Sequence, residues 1–148
     1  VLFRSQYTAA GIVSELKRNA APASVDSIPS SAMQEDHVSM GWSAGRKLRR
    51  SIDGLARVLA IEILTAARAI DLRTTDDTNI PAPGTGAVVA RLRETVAGPG
   101  TDRYLSPEIE HSVQLVKGGD YVEAVEAVDQ SWLPGTASRA TTSTTAPM

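Results

Sequence analysis

Leu48, Ile52, Leu55, Leu59, Ile63, Ala66 and Ile70 recur at steps of three and four residues. Only an α-helix brings that spacing onto one side, because a strand would alternate every second residue. Between Val58 and Ala69 the sequence turns apolar around most of the helical circumference, leaving Glu62, Thr65 and Arg68 as the polar side chains of any size. A helix apolar all round belongs inside a bundle or an oligomer interface. Aromatic residues make up only 4% of the chain, so the core has to be built from Ala, Val, Leu and Ile. Small aliphatic side chains favour close helix packing over a sandwich, and the expected fold is all-α, a long-helix bundle with shorter helices.

The limits of the long helix follow from its flanks. Ser31 and Gln34 have the spacing of a capping box, and Glu35 and Asp36 add negative charge suited to a helix N-terminus. The helix is therefore expected to start there and to run to Asp71. Upstream, Ala9, Ile12, Val13 and Leu16 predict a helix over 6–20. Val1 to Ser5 enter that pattern without a cap or turn, which suggests a truncated or non-native start, and they are left out of the fold expectation. Pro22 and Pro29, with several serines, break regular structure over 21–33. Val25, Ile28 and Met33 make that loop unusually apolar, so it is expected to pack against protein and is a candidate site loop.

Downstream, 71–86 has the composition of a surface loop. Val88, Val89, Leu92 and Val96 predict a short helix closed by Gly98-Pro99-Gly100. Ser106-Pro107-Glu108 starts another, buried through Ile109, Val113 and Val116 and stopped by Gly118-Gly119. Asp120 is expected to cap a last helix carrying Val122, Val125 and Val128. The Pro, Gly, Ser, Thr and Ala of 134–148 offer too little apolar surface to offset ordering entropy, and a disordered tail is expected. The chain thus divides into a start at 1–5, a core of helix, loop and long helix at 6–73, short helices at 74–133 and the tail.

With 15 basic against 17 acidic side chains and a formal net charge of -2, the totals give no basis for nucleic acid as the main partner. The basic run Arg46-Lys47-Leu48-Arg49-Arg50 lacks interleaved aromatics and is followed by Asp53 and Glu62, so a solvated or intersubunit face is expected. The absence of cysteine leaves neither disulfides nor a thiolate metal site. No stretch reaches the roughly 18 apolar residues of a membrane helix, and the start lacks a signal-peptide pattern, so a cytoplasmic protein is expected. Trp42 and Trp132 are expected to be packing residues, and His111 to lie on a polar helix face.

Reactive side chains concentrate at Gln34-Glu35-Asp36-His37. From the residues alone, Glu35 and Asp36 complement a helix dipole and His37 is solvated; a ligand-binding role is the alternative. A metal site is not expected, because adjacent Glu, Asp and His lack the i, i+4 spacing of helical ligands.

The run Pro22-Ala23-Ser24-Val25-Asp26-Ser27-Ile28-Pro29-Ser30-Ser31-Ala32-Met33-Gln34-Glu35-Asp36-His37-Val38-Ser39-Met40 resembles the C-terminal signature of histidine ammonia-lyases, within the aromatic amino acid lyases. The similarity extends over roughly 6–128, weakening after Arg73, with Gly98-Pro99-Gly100 and Asp102 to Glu110 still fitting. Gly45 departs from it, since Ala is usual there, and the loop from Thr74 to Gly86 looks idiosyncratic.

The resemblance implies elimination of ammonia from L-histidine to give urocanate, in a cytoplasmic homotetramer. It implies a methylidene-imidazolone electrophile formed from an Ala-Ser-Gly triplet, and that triplet is absent from this sequence. The family's catalytic tyrosine and its mid-chain substrate-holding Asn, Tyr and Arg belong to regions that these residues do not match. The 148 residues are accordingly expected to be an inactive part of a lyase, with no catalytic residue of their own. Glu35 is the site residue that carries over, facing the substrate's imidazole, with Gln34 and His37 as further substrate-binding candidates. A carboxylate accepts a charge-assisted hydrogen bond from imidazole N–H, which a phenyl ring does not offer. The alternatives are a tyrosine or phenylalanine ammonia-lyase or aminomutase, and a non-catalytic helical assembly module.

Overall fold

The computed structural model describes residues 2–74 and 79–128. Its helices are α1 (Leu2–Asn19), α2 (Gly41–Arg73), α3 (Pro83–Arg93), α4 (Ser106–Gly118) and α5 (Asp120–Glu126), and there is no strand among the described residues. The fold is all-α, as the periodicity predicts. Trp132 and the expected tail at 134–148 lie outside the described residues.

α2 is the axis of the molecule, 33 residues long and therefore roughly 50 Å at 1.5 Å per residue. α1 runs antiparallel to it: Ile12 and Leu16 lie over Gly54, while Ser5 lies beside Ile61 and Leu64. α1 begins at Leu2, so Leu2 to Ser5, set aside in the sequence, are helical, and Ser5 is buried. α4 packs along α2 through the ion pairs Asp53–Lys117, at 2.6 Å, and Arg57–Glu110.

The start of α2 corrects the capping-box expectation by nine residues, the N-cap being Met40 and not Ser31. Ser31, Ala32 and Met33 have φ of 53°, 56° and 68°, a left-handed turn closed by Gln34 N–H donating to the Ser31 carbonyl at 3.1 Å. A helix N-cap is extended instead, so Ser31 cannot serve as one despite its spacing to Gln34. The helix starts after Met40, which provides no side-chain cap. At the other end it continues two residues past Asp71, to Arg73.

The buried side of α2 is not the long aliphatic stripe. Ala56, Ala60, Ile61 and Ala67 are buried, whereas Leu48, Ile52, Leu55 and Leu59 are 61%, 56%, 52% and 39% exposed. The reason is steric: alanine and glycine let neighbouring helices come close, so α1 and α4 settle on the small-residue side. Within Val58 to Ala69 the predicted burial holds for Ala60, Ile61 and Ala67, with Ile63 and Leu64 half-buried.

The main core joins Ala67, Leu92, Val96, Leu115 and Tyr121, with Val88, Val89 and Val116 packed against it. α3 begins earlier than its valines suggest, with Pro83 pre-set for the first turn. After α3, Arg93 donates to Asp71 Oδ2 at 3.0 Å and to the carbonyls of Val96 and Ala97. Arg103 donates to the carbonyls of Ala97 and Gly98 at 2.9 and 3.1 Å, so two arginines satisfy the turn into Gly98-Pro99-Gly100. α4 stops at Gly119, whose φ of 85° suits glycine. Asp120 does not cap α5 as expected; it forms an ion pair with Arg91 of α3, and Tyr121 is the buried residue of that helix while Val122 is 60% exposed.

One buried polar chain crosses the core. Ser112 Oγ lies 3.2 Å from the Ala60 carbonyl and 3.0 Å from the Tyr121 hydroxyl. A serine hydroxyl carries one hydrogen, and the carbonyl can only accept it, so Tyr121 must donate to Ser112. Burial pushes the Tyr121 phenol above its ordinary value.

Two predictions follow from this packing. A Cβ on Gly45 meets nothing within 4 Å, whereas one on Gly54 would come within 2.8 Å of Leu16 and 3.3 Å of Ile12. Gly45→Ala should therefore stabilise the helix by up to about 1 kcal/mol in urea unfolding, and Gly54→Ala should gain distinctly less or lose; equal gains would refute the close approach of α1 and α2. The raised Tyr121 pKa makes the fold favour the protonated phenol, so its contribution is full below about pH 10 and is lost as pH rises through the folded value. Alkaline titration followed by circular dichroism should show this loss, and Tyr121→Phe should remove that pH dependence.

Candidate functional site

The candidate site is the loop joining α1 to α2. Pro22, at φ -60° and ψ 134°, ends the helical path and leads into a 3-10 turn at Ala23–Val25. From there two nested pairings fold the loop back on itself. In the outer one, Ser27 Oγ accepts from the Val38 N–H at 2.9 Å and donates to the Val38 carbonyl at 3.1 Å. In the inner one, Ser30 and Glu35 form an antiparallel bridge, with the Ser30 N–H donating to Glu35 O at 3.0 Å and the Glu35 N–H to Ser30 O at 3.2 Å. The left-handed turn of Ser31 to Met33 is the tip. Lys47 of α2 donates to the Ala21 carbonyl, which ties the loop's entry to the first turns of the long helix.

The chain brings Gln34, Glu35 and His37 together on the outgoing arm of this loop, all exposed. Glu35 follows the tip directly. Its Oε2 accepts a hydrogen bond from Ser30 Oγ at 3.0 Å, and among the described residues its Oε1 accepts none. A carboxylate held at one oxygen and open at the other can receive an N–H donor from a ligand, a charge-assisted bond stronger than a neutral one. Among the described residues no group of three or more His, Asp or Glu is placed to hold a metal ion.

Two expectations about the surroundings are corrected. The apolar side chains of the loop do not pack onto these helices, since Val25, Ile28 and Met33 are 82%, 56% and 81% exposed. Trp42, at the start of α2, is also 81% exposed rather than a packing residue within this chain. The basic run on α2 is mostly exposed, as expected of a solvated face, and His111 is exposed with Nδ1 2.9 Å from the Pro107 carbonyl.

Ser27 and Ser30 were not singled out in the sequence, where the serines counted only as breakers of regular structure. The available signal was their tendency to bond the backbone locally in competition with helix and sheet. No helix among the described residues is long and apolar enough to cross a membrane.

The aromatic amino acid lyase family matches residues 2–94. Histidine ammonia-lyases from Streptomyces griseus and Streptomyces coelicolor are 57% and 56% identical over 128 residues, 86% of this chain. The chain spans about a quarter of the length of these relatives, 25% and 24%. Among solved structures, a tyrosine aminomutase from Streptomyces globisporus superposes with a TM-score of 0.73 at 34% identity, over 82% of this chain and 22% of that one. Histidine ammonia-lyase from Trypanosoma cruzi gives 0.72 at 34% identity, over 79% and 23%. With the family matched across both long helices and the loop between them, the chain belongs to the aromatic amino acid lyase family.

Proposed function

We propose that this chain provides the substrate side-chain recognition element of a histidine ammonia-lyase, an enzyme that eliminates ammonia from L-histidine to give urocanate. The observation that carries the reading is Glu35, fixed at Oε2 by Ser30 with Oε1 open, on an exposed loop. An imidazole N–H directed at Oε1 would gain a charge-assisted hydrogen bond, and a site built around such an acceptor discriminates against a ring that lacks the donor. Gln34 and His37, exposed on the same arm, would contact the substrate or the side chains around it. The relatives at 55–57% identity are named histidine ammonia-lyase, which supports this choice.

The electrophile of such a lyase, a methylidene-imidazolone, is assigned to residues outside these 148, which contain no Ala-Ser-Gly triplet. It supplies the activation of the amino group for departure. The residues of this chain bind and orient the far end of the substrate. The exposed side of α2, with Leu48, Ile52 and Leu55, supports assembly with further polypeptide, and a homotetramer in the cytoplasm is the arrangement proposed.

The test replaces the matching 128-residue segment of the Streptomyces griseus enzyme with that of this chain and measures urocanate formation. The chimera should act on L-histidine, and Glu35→Gln should lower kcat/KM for histidine by about 10- to 100-fold. Preference for tyrosine over histidine in the chimera, or unchanged histidine kinetics after Glu35→Gln, would refute the proposal.

A further inference from the structure

We propose that Ser30 is the positioning residue for the Glu35 carboxylate, its hydroxyl holding Oε2 so that Oε1 points to the substrate; this rests on the assignment of Glu35 to imidazole recognition. The loop between Ser30 and Glu35 is built in a way that serves this contact. The two residues face each other in a bridge with both backbone hydrogen bonds made, at 3.0 and 3.2 Å, and the side-chain bond of 3.0 Å lies across the same pair. Three of the four residues between them, Ser31, Ala32 and Met33, are left-handed, which brings Glu35 back beside Ser30.

Glutamate has several rotatable bonds and loses substantial rotamer freedom when it is fixed. On an exposed loop nothing else among the described residues holds this carboxylate. The serine therefore fixes it before substrate arrives, so that less ordering is charged against binding. Because the hydroxyl occupies one oxygen, it also decides which lone pairs remain for the ring N–H. The backbone pairing does not depend on the hydroxyl, so Ser30→Ala removes the positioning contact and leaves the bridge in place.

The experiment uses the full-length chimeric lyase described above. If Ser30 positions Glu35, Ser30→Ala should raise KM for L-histidine about three- to tenfold while kcat changes by less than about twofold, as expected when binding is lost equally from ground and transition states. Ser30→Thr, which keeps the hydroxyl, should restore KM. In a Glu35→Ala background, Ser30→Ala should add no further increase, because the group it acts through is gone. The proposal is overturned if Ser30→Ala leaves KM unchanged, if threonine fails to restore it, or if the effect persists at full size without Glu35. In each of those cases Glu35→Ala alone still raises KM, so the recognition reading stands. If Glu35→Ala leaves histidine kinetics intact, that reading falls and the role of Ser30 falls with it.

Discussion

The close approach of α4 to α2 at Ala60 is the contact on which the rest of the packing depends. With only a methyl group at 60 and another at 56, the helices come near enough for the Ser112 hydroxyl to reach a main-chain carbonyl of the long helix at 3.2 Å. That hydroxyl then has only an acceptor left to offer, and Tyr121 of α5 supplies the proton. Three helices are thus linked by two hydrogen bonds that leave no buried side-chain polar atom unsatisfied among the described residues. A larger residue at position 60 would separate α4 from α2 and leave both hydroxyls to seek other partners in an apolar interior, where an unmade bond is costly.

The same preference for small residues explains why the long aliphatic side chains of α2 remain exposed in this chain. Leu48, Ile52 and Leu55 occupy the side that neither α1 nor α4 covers, and Trp42 stands at its beginning. The loop carrying Glu35 is similarly open, with Val25 and Met33 in contact with solvent. Both surfaces belong to a chain that spans about a quarter of its relatives' length. The helices are organised around their own small core at Leu92 and Val96, while the loop and Leu48, Ile52 and Leu55 lie beyond it.

The helices were largely legible in the sequence because their signals are local and periodic. Pro107 and Gly119 mark the ends of α4 as stereochemistry requires, and the long helix follows from the spacing of its Leu and Ile residues. Which side of that helix is buried was not legible, since spacing identifies an apolar stripe but not the neighbour that covers it. The Ser31–Gln34 spacing misled for another reason: a capping box needs extended backbone at its first residue, and the pairing of Ser30 with Glu35 imposes a left-handed one. Asp120 likewise found a cation, Arg91, instead of a helix end. Glu35 itself was identified by resemblance, whereas its hydrogen bond to Ser30 depends on a turn that periodicity does not encode.

The left-handed tip has a stereochemical consequence. Ser31, Ala32 and Met33 each carry a side chain, yet all hold the positive φ that L-residues resist at roughly 1–2 kcal/mol apiece when placed in succession. Their backbone handedness is the one natural to D-amino acids. In a synthetic loop, mirror-image residues at these positions would adopt the turn without strain, and the bridge between its ends would no longer have to enforce it. The natural chain, limited to one chirality, relies on serine pairing across the base of the turn to hold a shape that its own stereocentres oppose.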